Sequence, residues 1–269
     1  MNEIKQVSSL QNPLVKKILV LKDKSRERKK TGKLIIEGLR ELKLAIAAGY
    51  EIETICYYPE ILTREELLEK SGLSKSHPPF IEVTKGVYQK IAYRESTEGV
   101  LAIANAMDHS LENLIIDNTN ALILIAEAPE KPGNLGALLR TADAAQLDAV
   151  LIADPKGDLY NPNVIRSSVG CVFTNTIGIG NSDEIIAFLR QNNINIYCAE
   201  LGASKPYTSI DFTLPSAIVV GTEATGLSQT WLNAATQNII IPMEGEIDSL
   251  NVSVSAAILI FEAKRQRMA

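Results

Sequence analysis

The sequence lacks the features of a membrane-spanning, secreted or metal-binding protein. None of its apolar runs approaches the ~20 residues that cross a bilayer, and its first residues contain no apolar segment of the signal-peptide kind. The three cysteines and two histidines lie far apart, at Cys56, Cys171, Cys198, His77 and His109. Scattered cysteines in odd number give neither a disulfide framework nor the ligand spacing of a zinc site. We therefore expect a cytoplasmic protein with no metal and no membrane partner.

Glycine-rich nucleotide-binding motifs are also absent. Gly221 and Gly226 have the glycine spacing of a P-loop, but Leu227 and Ser228 stand where that motif requires a lysine followed by Ser or Thr. There is no G-x-G-x-x-G dinucleotide fingerprint. The sequence therefore gives no support for an ATPase or a dinucleotide-binding enzyme.

The charge is unevenly distributed along the chain. The net charge is -5, which by itself argues weakly against a nucleic-acid partner. Residues 1–43, however, hold 12 Lys and Arg against 5 Asp and Glu, a balance of +7, whereas the rest of the chain has a balance of -12. This asymmetry indicates that the first segment contacts a polyanion such as RNA, although a merely solvent-exposed helix face is the alternative. The candidate RNA-binding residues of this segment are Arg26, Arg28, Lys29, Lys30 and Arg40.

The order of apolar segments divides the chain into two α/β domains. Asn12 and Pro13 predict the start of a helix that runs through the basic stretch to Gly32, and short strands and helices follow up to residue 106. Residues 107–118 are polar and are interpreted as a linker. Residues 119–269 contain four continuous apolar runs, typical of strands covered on both faces. We therefore predict a smaller N-terminal α/β domain and a second α/β domain with a mostly parallel sheet. The four runs are 121–125, 149–152, 194–199 and 217–220.

Three stretches of the second domain contain residues suited to ligand binding. The first, KPGNLGALLR at 131–140, follows a strand and opens a helix, so its free backbone N–H groups and Arg140 suit an anion. The second, NPNVIRSSVG at 161–170, includes Arg166. The third, between 219 and 254, contains loops rich in Gly and Pro after two strand ends, as a ligand pocket requires. Taken singly, each is also compatible with an ordinary loop or helix cap.

Together and in this order, the three stretches resemble the SpoU (TrmH-like) RNA 2'-O-methyltransferases of the SPOUT superfamily. The matching segments are PGNLGALLRTADAA, DLYNPNVIRSSVG, VVGTEATGLS and IPMEGEIDSLNVSVSAAILIFEA, within residues 119–267. The first domain is similar, more loosely, to the L30e-like substrate-binding domain of these enzymes. The resemblance implies a catalytic domain with a C-terminal trefoil knot, a rare topology. It also implies a homodimer and S-adenosylmethionine as the cofactor.

The resemblance further implies roles for individual residues. The positions that match the family's catalytic residues are Asn134, Arg140, Glu223, Ser249 and Asn251. The positions that match its cofactor-binding residues are Gly221, Ile241, Met243 and Leu250. We add Arg166 to the candidate RNA-binding residues because it lies in the second motif.

The implied reaction is attack of a ribose 2'-hydroxyl on the methyl group of the cofactor. Since arginine stays protonated and has no acceptor, we expect Arg140 to bind the adjacent phosphate and to stabilise the developing alkoxide. A 2'-hydroxyl target selects RNA over DNA, with ribosomal RNA as our first expectation and tRNA as the second. Two alternatives remain open: a non-catalytic RNA-binding protein that assists ribosome assembly, and an enzyme that methylates an RNA base.

Overall fold

The chain forms two compact units, which are considered separately. The computed structural model describes residues 5–73, 78–93, 98–222, 225–246 and 249–268. The first unit combines Met1–Met107 with Asp158–Thr174, and the second combines Asp108–Gly157 with Asn175–Ala269. The chain first passes from the first unit to the second between Met107 and Asp108, at the start of the predicted linker. The prediction did not include the later segment Asp158–Thr174 in the first unit.

The described residues form twelve strands and ten α-helices. The strands are β1 (Lys5–Val7), β2 (Lys33–Glu37), β3 (Ile52–Tyr57), β4 (Phe80–Val83), β5 (Val100–Asn105), β6 (Leu122–Glu127), β7 (Ala149–Ala153), β8 (Ile177–Gly180), β9 (Asn195–Ala199), β10 (Lys205–Pro206), β11 (Ser216–Val220) and β12 (Gln237–Ile240). The helices are α1 (Pro13–Asp23), α2 (Ser25–Thr31), α3 (Leu39–Ala47), α4 (Arg64–Ser71), α5 (Lys85–Ile91), α6 (Pro132–Ala144), α7 (Pro162–Ser167), α8 (Ser182–Gln191), α9 (Gln229–Ala234) and α10 (Val252–Arg267).

The first unit is built around a mixed five-stranded sheet in the order β1-β4-β3-β5-β2. Strands β1, β4 and β3 run parallel, and β5 runs antiparallel to both β3 and β2. Strand β5 lies between β3 and β2, and its apolar residues are fully buried. Leu101 and Ile103 pack in one cluster with Val15 and Ile18 of α1 and with Val87 of α5. The apolar face of α1 therefore packs on the sheet.

The basic N-terminal segment forms two helices rather than the single helix that was predicted. The start is as predicted, since the Asn12 side chain accepts the Leu14 N–H at 2.9 Å. At Lys24, however, the backbone leaves the helical region, with φ -116° and ψ 105°. The second helix ends at Gly32 in the left-handed conformation, with φ +63°. The prediction of a continuous helix is therefore wrong at Lys24.

Arg28 joins the end of α1 to the segment Asp158–Thr174 within the first unit. Its side chain is only 3% exposed. The guanidinium donates to Asp158 Oδ2 at 2.6 Å and to two backbone carbonyls at the end of α1. Nearby, the Tyr50 and Tyr160 hydroxyls are 2.9 Å apart. Each of these buried polar groups has a hydrogen-bond partner, as burial requires. The pairs join the stretch Met1–Met107 to the stretch Asp158–Thr174 within the first unit.

The second unit is built around a parallel seven-stranded sheet in the order β10-β12-β9-β11-β6-β7-β8. Every residue of β6, β7 and β11 is buried, as the continuous apolar runs predicted. One face of the sheet packs Ile125 and Leu151 against Ile185 of α8 and Trp231 of α9. Helices α6 and α10 pack against each other and contact β7 and β11 respectively. No helix in the described part of the chain is long and apolar enough to cross a membrane.

Candidate active site

Four parallel strands of the second unit end at one edge of the sheet, and a cavity lies there. Strand β6 ends at Glu127, β11 at Val220, β9 at Ala199 and β12 at Ile240. This carboxyl edge is where open α/β sheets bind ligands. The cavity has a volume of about 520 Å³, within the range of about 300–1,000 Å³ that is usual for small-molecule sites. It is lined by Ala199, Glu200, Leu201, Gly202, Val220, Gly221, Thr222, Thr225, Gly226, Leu227, Leu232, Ile239, Ile241, Met243, Ser249, Leu250, Val252 and Ser255.

The residues that were predicted to bind a cofactor lie together in this cavity. All four line it: Gly221, Ile241, Met243 and Leu250. Ser249, which was predicted as a catalytic residue, lines it as well. Sequence reasoning missed the lining residues at the end of β9 and just after it, from Ala199 to Gly202. The available signal was an apolar run that ends shortly before a glycine, and none of the three motifs includes it.

The cavity wall is mostly apolar, with few polar groups. Leu227, Ile239 and Ile241 offer apolar surface, and Thr222 offers a hydroxyl. Among the described residues that line it, the one carboxylate is that of Glu200. Within the described part of the chain, that carboxylate has no hydrogen-bond or ion-pair partner. The cavity therefore suits a ligand with a flat apolar ring and a few hydrogen-bond donors.

Gly221 is required by the close approach of two backbone segments. A Cβ atom at this position would lie 2.3 Å from the carbonyl carbon and oxygen of Gly226. Thr222 and Gly226 close the loop with two backbone hydrogen bonds of 3.1 Å. The Glu127 carboxylate then accepts the Ser228 N–H at 2.8 Å, which ties the far end of the loop to β6. The glycine thus allows the loop to form one wall of the cavity.

A smaller cavity of about 80 Å³ lies beside the N-termini of α6 and α10 and shares Gly221 and Val252 with the larger one. Asn134, in the first turn of α6, lines it. Asn251 Nδ2 donates to Asn134 Oδ1 at 3.2 Å, and Asn251 Oδ1 accepts the Ser253 N–H at 3.0 Å. Asn251 therefore caps α10 and links it to α6. The structure brings these two predicted catalytic residues together.

Arg140 lies on the exposed side of α6. It follows Asn134 by six residues, which is about 9 Å along the helix axis. The side chain lines neither cavity, and it has no hydrogen-bond or ion-pair partner among the described residues. Its guanidinium is therefore available to a ligand from outside the chain, and phosphate is the group that it fits best. Glu223, the remaining predicted catalytic residue, lies outside the described residues.

The predicted RNA-binding residues of α2 differ in their exposure. Arg26, Lys29 and Lys30 are exposed, and we call these three residues the α2 basic patch. Arg28 is different, because the side-chain exposures of Arg28 and Asp158 in their ion pair are 3% and 9%. The prediction that Arg28 contacts RNA is therefore corrected: its guanidinium is used inside the first unit.

The two other predicted RNA-binding residues line a cavity of about 190 Å³ in the first unit. Arg40 is exposed and forms an ion pair of 2.7 Å with the buried carboxylate of Glu41. Arg166 lies over the ring of Tyr93, with its guanidinium carbon 4.7 Å from the ring centroid. Positions 40 and 166, far apart in the sequence, are thus brought to one site.

The described histidine and cysteines are not placed for proton transfer at the larger cavity. Burial lowers the pKa of His109, whose Nδ1 lies 3.3 Å from the carbonyl oxygen of Ile177 in β8. That strand is at the opposite end of the sheet from the cavity. Burial raises the pKa of Cys198 to about 12, and His77 lies outside the described residues. Among the described residues, no group of His, Cys, Asp and Glu could hold a metal ion.

These features define an α/β protein with a ligand cavity at the carboxyl edge of a parallel sheet, together with a second α/β unit that carries exposed cations. The chain belongs to the SpoU rRNA Methylase family, whose model matches residues 121–261. A model of the MRM3-like substrate binding domain matches residues 12–102. The resemblance that the three motifs indicated is therefore confirmed.

The chain is similar to proteins of this family over almost its whole length. The 23S rRNA (guanosine(2553)-2'-O)-methyltransferase RlmP of Bacillus subtilis (strain 168) is 29% identical, over 97% of this chain and 100% of the relative. A crystal structure of an RNA 2'-O ribose methyltransferase is 38% identical, with a TM-score of 0.84 over 98% of this chain and 100% of that chain. An AdoMet-bound rRNA methyltransferase from Sinorhizobium meliloti is 28% identical, with a TM-score of 0.89 over 99% of both chains. These matches confirm the predicted α/β fold class.

Proposed function

We propose that the protein transfers the methyl group of S-adenosylmethionine to a ribose 2'-hydroxyl of ribosomal RNA. The family is one of rRNA methylases, the similar protein of Bacillus subtilis is named a 23S rRNA 2'-O-methyltransferase, and the similar structure from Sinorhizobium meliloti is bound to AdoMet. The prediction of an S-adenosylmethionine-dependent RNA 2'-O-methyltransferase is thereby confirmed. Within this chain, the observation that carries the proposal is the cavity at the ends of β9, β11 and β12.

The larger cavity fits this cofactor in size and in chemistry. Its volume of about 520 Å³ lies within the range of sites for molecules of this size class. Backbone groups at Gly221, Ile241 and Leu250 would hold the adenosine, and Met243 lies in the same wall. Glu200 would accept hydrogen bonds from the ribose hydroxyls of the cofactor. The bound cofactor supplies an activated methyl group.

The remaining task of the protein is to position and polarise the ribose of the RNA. In our proposal, Arg140 binds the phosphate beside that ribose and stabilises the negative charge that develops on the 2'-oxygen. The proton goes to a phosphate oxygen or to water, because a guanidinium has no acceptor. Asn134 and Asn251, joined at 3.2 Å, hold the N-termini of α6 and α10 together and orient the ribose. Ser249 and Glu223 complete this polar set.

We also propose that a second copy of the chain completes the site. Helix α10 has an apolar stripe at Val254, Ile258 and Phe261, of which Val254 is 46% exposed and Phe261 is 51% exposed. An exposed apolar stripe at this spacing indicates an interface. Helix α10 packs on α6, the helix that carries Arg140, and in our proposal the second copy contributes to the site formed by these two helices. The family resemblance adds a trefoil knot in the C-terminal part of the second unit to this proposal, and the scattered cysteines add a cytoplasmic location.

Recognition of the RNA is assigned to the first unit. The α2 basic patch is exposed and lies in the region that matches a substrate binding domain model. Lysine and arginine contacts to phosphates fix the orientation of an RNA without reading its sequence. The chain beyond residue 43 has a charge balance of -12, so non-specific attraction elsewhere is weak. The patch would therefore determine which side of the protein faces the RNA.

The proposal is tested by transfer of a labelled methyl group from S-adenosylmethionine to 23S ribosomal RNA from a strain that lacks the gene. Arg140→Ala should lower turnover by at least about 10²-fold, the usual effect of losing a donor to developing negative charge. Its affinity for the cofactor, measured by calorimetry, should not change, because Arg140 does not line the cavity. The matched control is Arg190→Ala, which removes an exposed arginine of α8 and should leave both values unchanged.

The other outcomes are equally informative. Full turnover by the Arg140→Ala variant would remove Arg140 from the mechanism. If the wild-type protein bound the cofactor and transferred no label to ribosomal RNA, the same assay with tRNA would follow. Failure to bind the cofactor at all would contradict the enzyme and leave the non-catalytic RNA-binding alternative.

A further inference from the structure

The cavity of the first unit has no part in the proposed methyl transfer. Its volume of about 190 Å³ is below the range of about 300–1,000 Å³ that is usual for small-molecule sites, so it suits a small part of a larger ligand. It is lined by three cations (Lys22, Arg40 and Arg166), by three carboxylates, and by the aromatic ring of Tyr93. None of the sequence motifs indicated Tyr93.

Tyr93 and Arg166 provide a stacking surface in this cavity. The Tyr93 side chain is 45% exposed although it is large and aromatic. The guanidinium carbon of Arg166 lies 4.7 Å from its ring centroid, and Arg166 Nη2 donates to Asn163 Oδ1 at 3.2 Å. Aromatic rings and arginine planes are the two surfaces on which unpaired RNA bases stack. The pair is therefore built like a binding site for a base.

Neighbouring groups fix the backbone that carries Tyr93. Glu37 accepts the Tyr93 N–H at 2.7 Å. Lys22 Nζ donates to the carbonyl oxygens of Ile91 and Ala92, each at 3.2 Å. Lys22 and Glu37, which both line the cavity, thus hold the end of α5 in place. A surface held in this way before binding loses less conformational entropy when the ligand binds.

Arg40 supplies donors for a phosphate at the same cavity. Its side chain is 57% exposed, and it pairs with Glu41, which is only 7% exposed. The Nε and Nη2 atoms of Arg40 donate to Glu41 at 3.2 and 2.7 Å, which leaves three of the five guanidinium N–H groups for a ligand. Three cations and three carboxylates line the cavity, so their charges balance and the cavity would not bind RNA by net positive charge alone. It suits a ligand that combines one base with one phosphate.

We propose that this cavity binds one unpaired nucleotide of the substrate RNA, with its base stacked on Tyr93 and its phosphate held by Arg40 and Arg166. The inference rests on the proposed function for the existence of an RNA substrate. It concerns recognition of the substrate rather than methyl transfer, because it assigns the binding of a single-stranded loop, bulge or end to the first unit. Double-helical RNA, whose bases are stacked on one another, could not fill the site.

The test compares Tyr93→Ala with Tyr93→Phe in the full-length protein. The Michaelis constant for 23S ribosomal RNA should rise by about 5- to 150-fold in Tyr93→Ala, the range for loss of one stacked base. It should stay within about twofold of wild type in Tyr93→Phe, which keeps the ring. The turnover number at saturating RNA and the affinity for the cofactor should not change in either variant. Arg190→Ala again serves as the exposed, uninvolved control.

A direct probe accompanies the kinetics. A single-stranded RNA heptamer containing 2-aminopurine should lose fluorescence on binding to the wild type and to Tyr93→Phe but not to Tyr93→Ala, and the matching duplex should compete poorly. Equal Michaelis constants for wild type and Tyr93→Ala would overturn the inference, as would a Tyr93→Phe variant as weak as Tyr93→Ala, or a duplex that competes as well as the single strand. In those cases methyl transfer by the wild type would still stand. Absence of methyl transfer by the wild type would instead contradict the proposed function.

Discussion

Arg28 and Asp158 form a buried ion pair, and Arg28→Ala would remove the positive partner. The side-chain exposures of the pair are 3% and 9%, and the two charged groups are joined at 2.6 Å. The same guanidinium donates to two carbonyls at the end of α1. In the variant, the Asp158 carboxylate stays buried with its cationic partner gone. We expect the free energy of unfolding of the first unit to fall by about 3–5 kcal/mol.

Arg26→Ala provides the matched control two residues earlier in the same helix. Arg26 is exposed, so its loss should change the free energy of unfolding by no more than about 0.5 kcal/mol. The double variant Arg28→Met with Asp158→Leu removes both charges and keeps apolar volume. It should therefore recover most of the stability lost in Arg28→Ala, because replacement of a whole buried pair is often neutral.

The assay is urea denaturation followed by circular dichroism, with hydrogen exchange measured by mass spectrometry on peptides from α1 and α2. Trp231, the one tryptophan of the chain, is buried in the core of the second unit. Its fluorescence therefore reports on that unit separately. A free energy of unfolding for Arg28→Ala within about 0.5 kcal/mol of that for Arg26→Ala would refute the reasoning.

Three further predictions concern RNA binding, the cofactor cavity and the cysteines. Replacing all three residues of the α2 basic patch by glutamine should reduce the slope of log affinity for RNA against log salt by about 2–3, since each lost phosphate contact contributes about 0.7–0.9. Gly221→Ala should weaken cofactor binding by more than about tenfold, because its Cβ would lie 2.3 Å from the backbone of the facing loop; Gly86→Ala, which meets no atom within 4 Å, is the control in calorimetry. Burial raises the pKa of Cys56 and Cys198 from 9.0 to about 12, which favours the neutral thiol and lowers the thiolate fraction at pH 8 by about 10³. Iodoacetamide should therefore label only Cys171 in the native protein, and labelling of all three at equal rates without denaturant would contradict this.

The parallel sheet of the second unit could be predicted because burial on both faces leaves a local signal. A strand covered on two sides cannot alternate polar and apolar residues. The run at 121–125 accordingly overlaps β6 (Leu122–Glu127) in all but its first residue, and the run at 217–220 lies in β11 (Ser216–Val220). The final helix was also placed closely, at 251–267 against Val252–Arg267, because Asn251 is an N-cap residue with a recognisable side chain.

The break at Lys24 and the placement of Asp158–Thr174 could not be predicted from local sequence. No glycine or proline stands at the break. Arg28, which donates to two carbonyls at the end of α1, has its acidic partner 130 residues away. A basic residue in a run of basic residues is usually exposed, so nothing in the run distinguishes Arg28 from Lys29. Such a long-range partner is visible only once the chain is folded.

The candidate site was predictable where the family motifs reach and not beyond them. The motifs indicated Gly221 and Ile241, which lie in the larger cavity. They did not indicate Glu200, because its position depends on the pairing of β9 with β11 and β12. They also did not indicate Tyr93, since its cavity is assembled from residues between Lys22 and Arg166. Roles for these two residues therefore follow from folded geometry.

The central claim is that the methyl group goes to a ribose 2'-oxygen, and alkaline hydrolysis of labelled 23S ribosomal RNA tests it most directly. Alkali cleaves RNA through the free 2'-hydroxyl, so a 2'-O-methylated nucleotide stays joined to its neighbour. The account predicts that label transferred by the wild-type protein is recovered in one alkali-resistant dinucleotide, and that Arg140→Ala forms this dinucleotide at least about 10²-fold more slowly. Label recovered in a mononucleotide would show methylation of a base and would contradict the account.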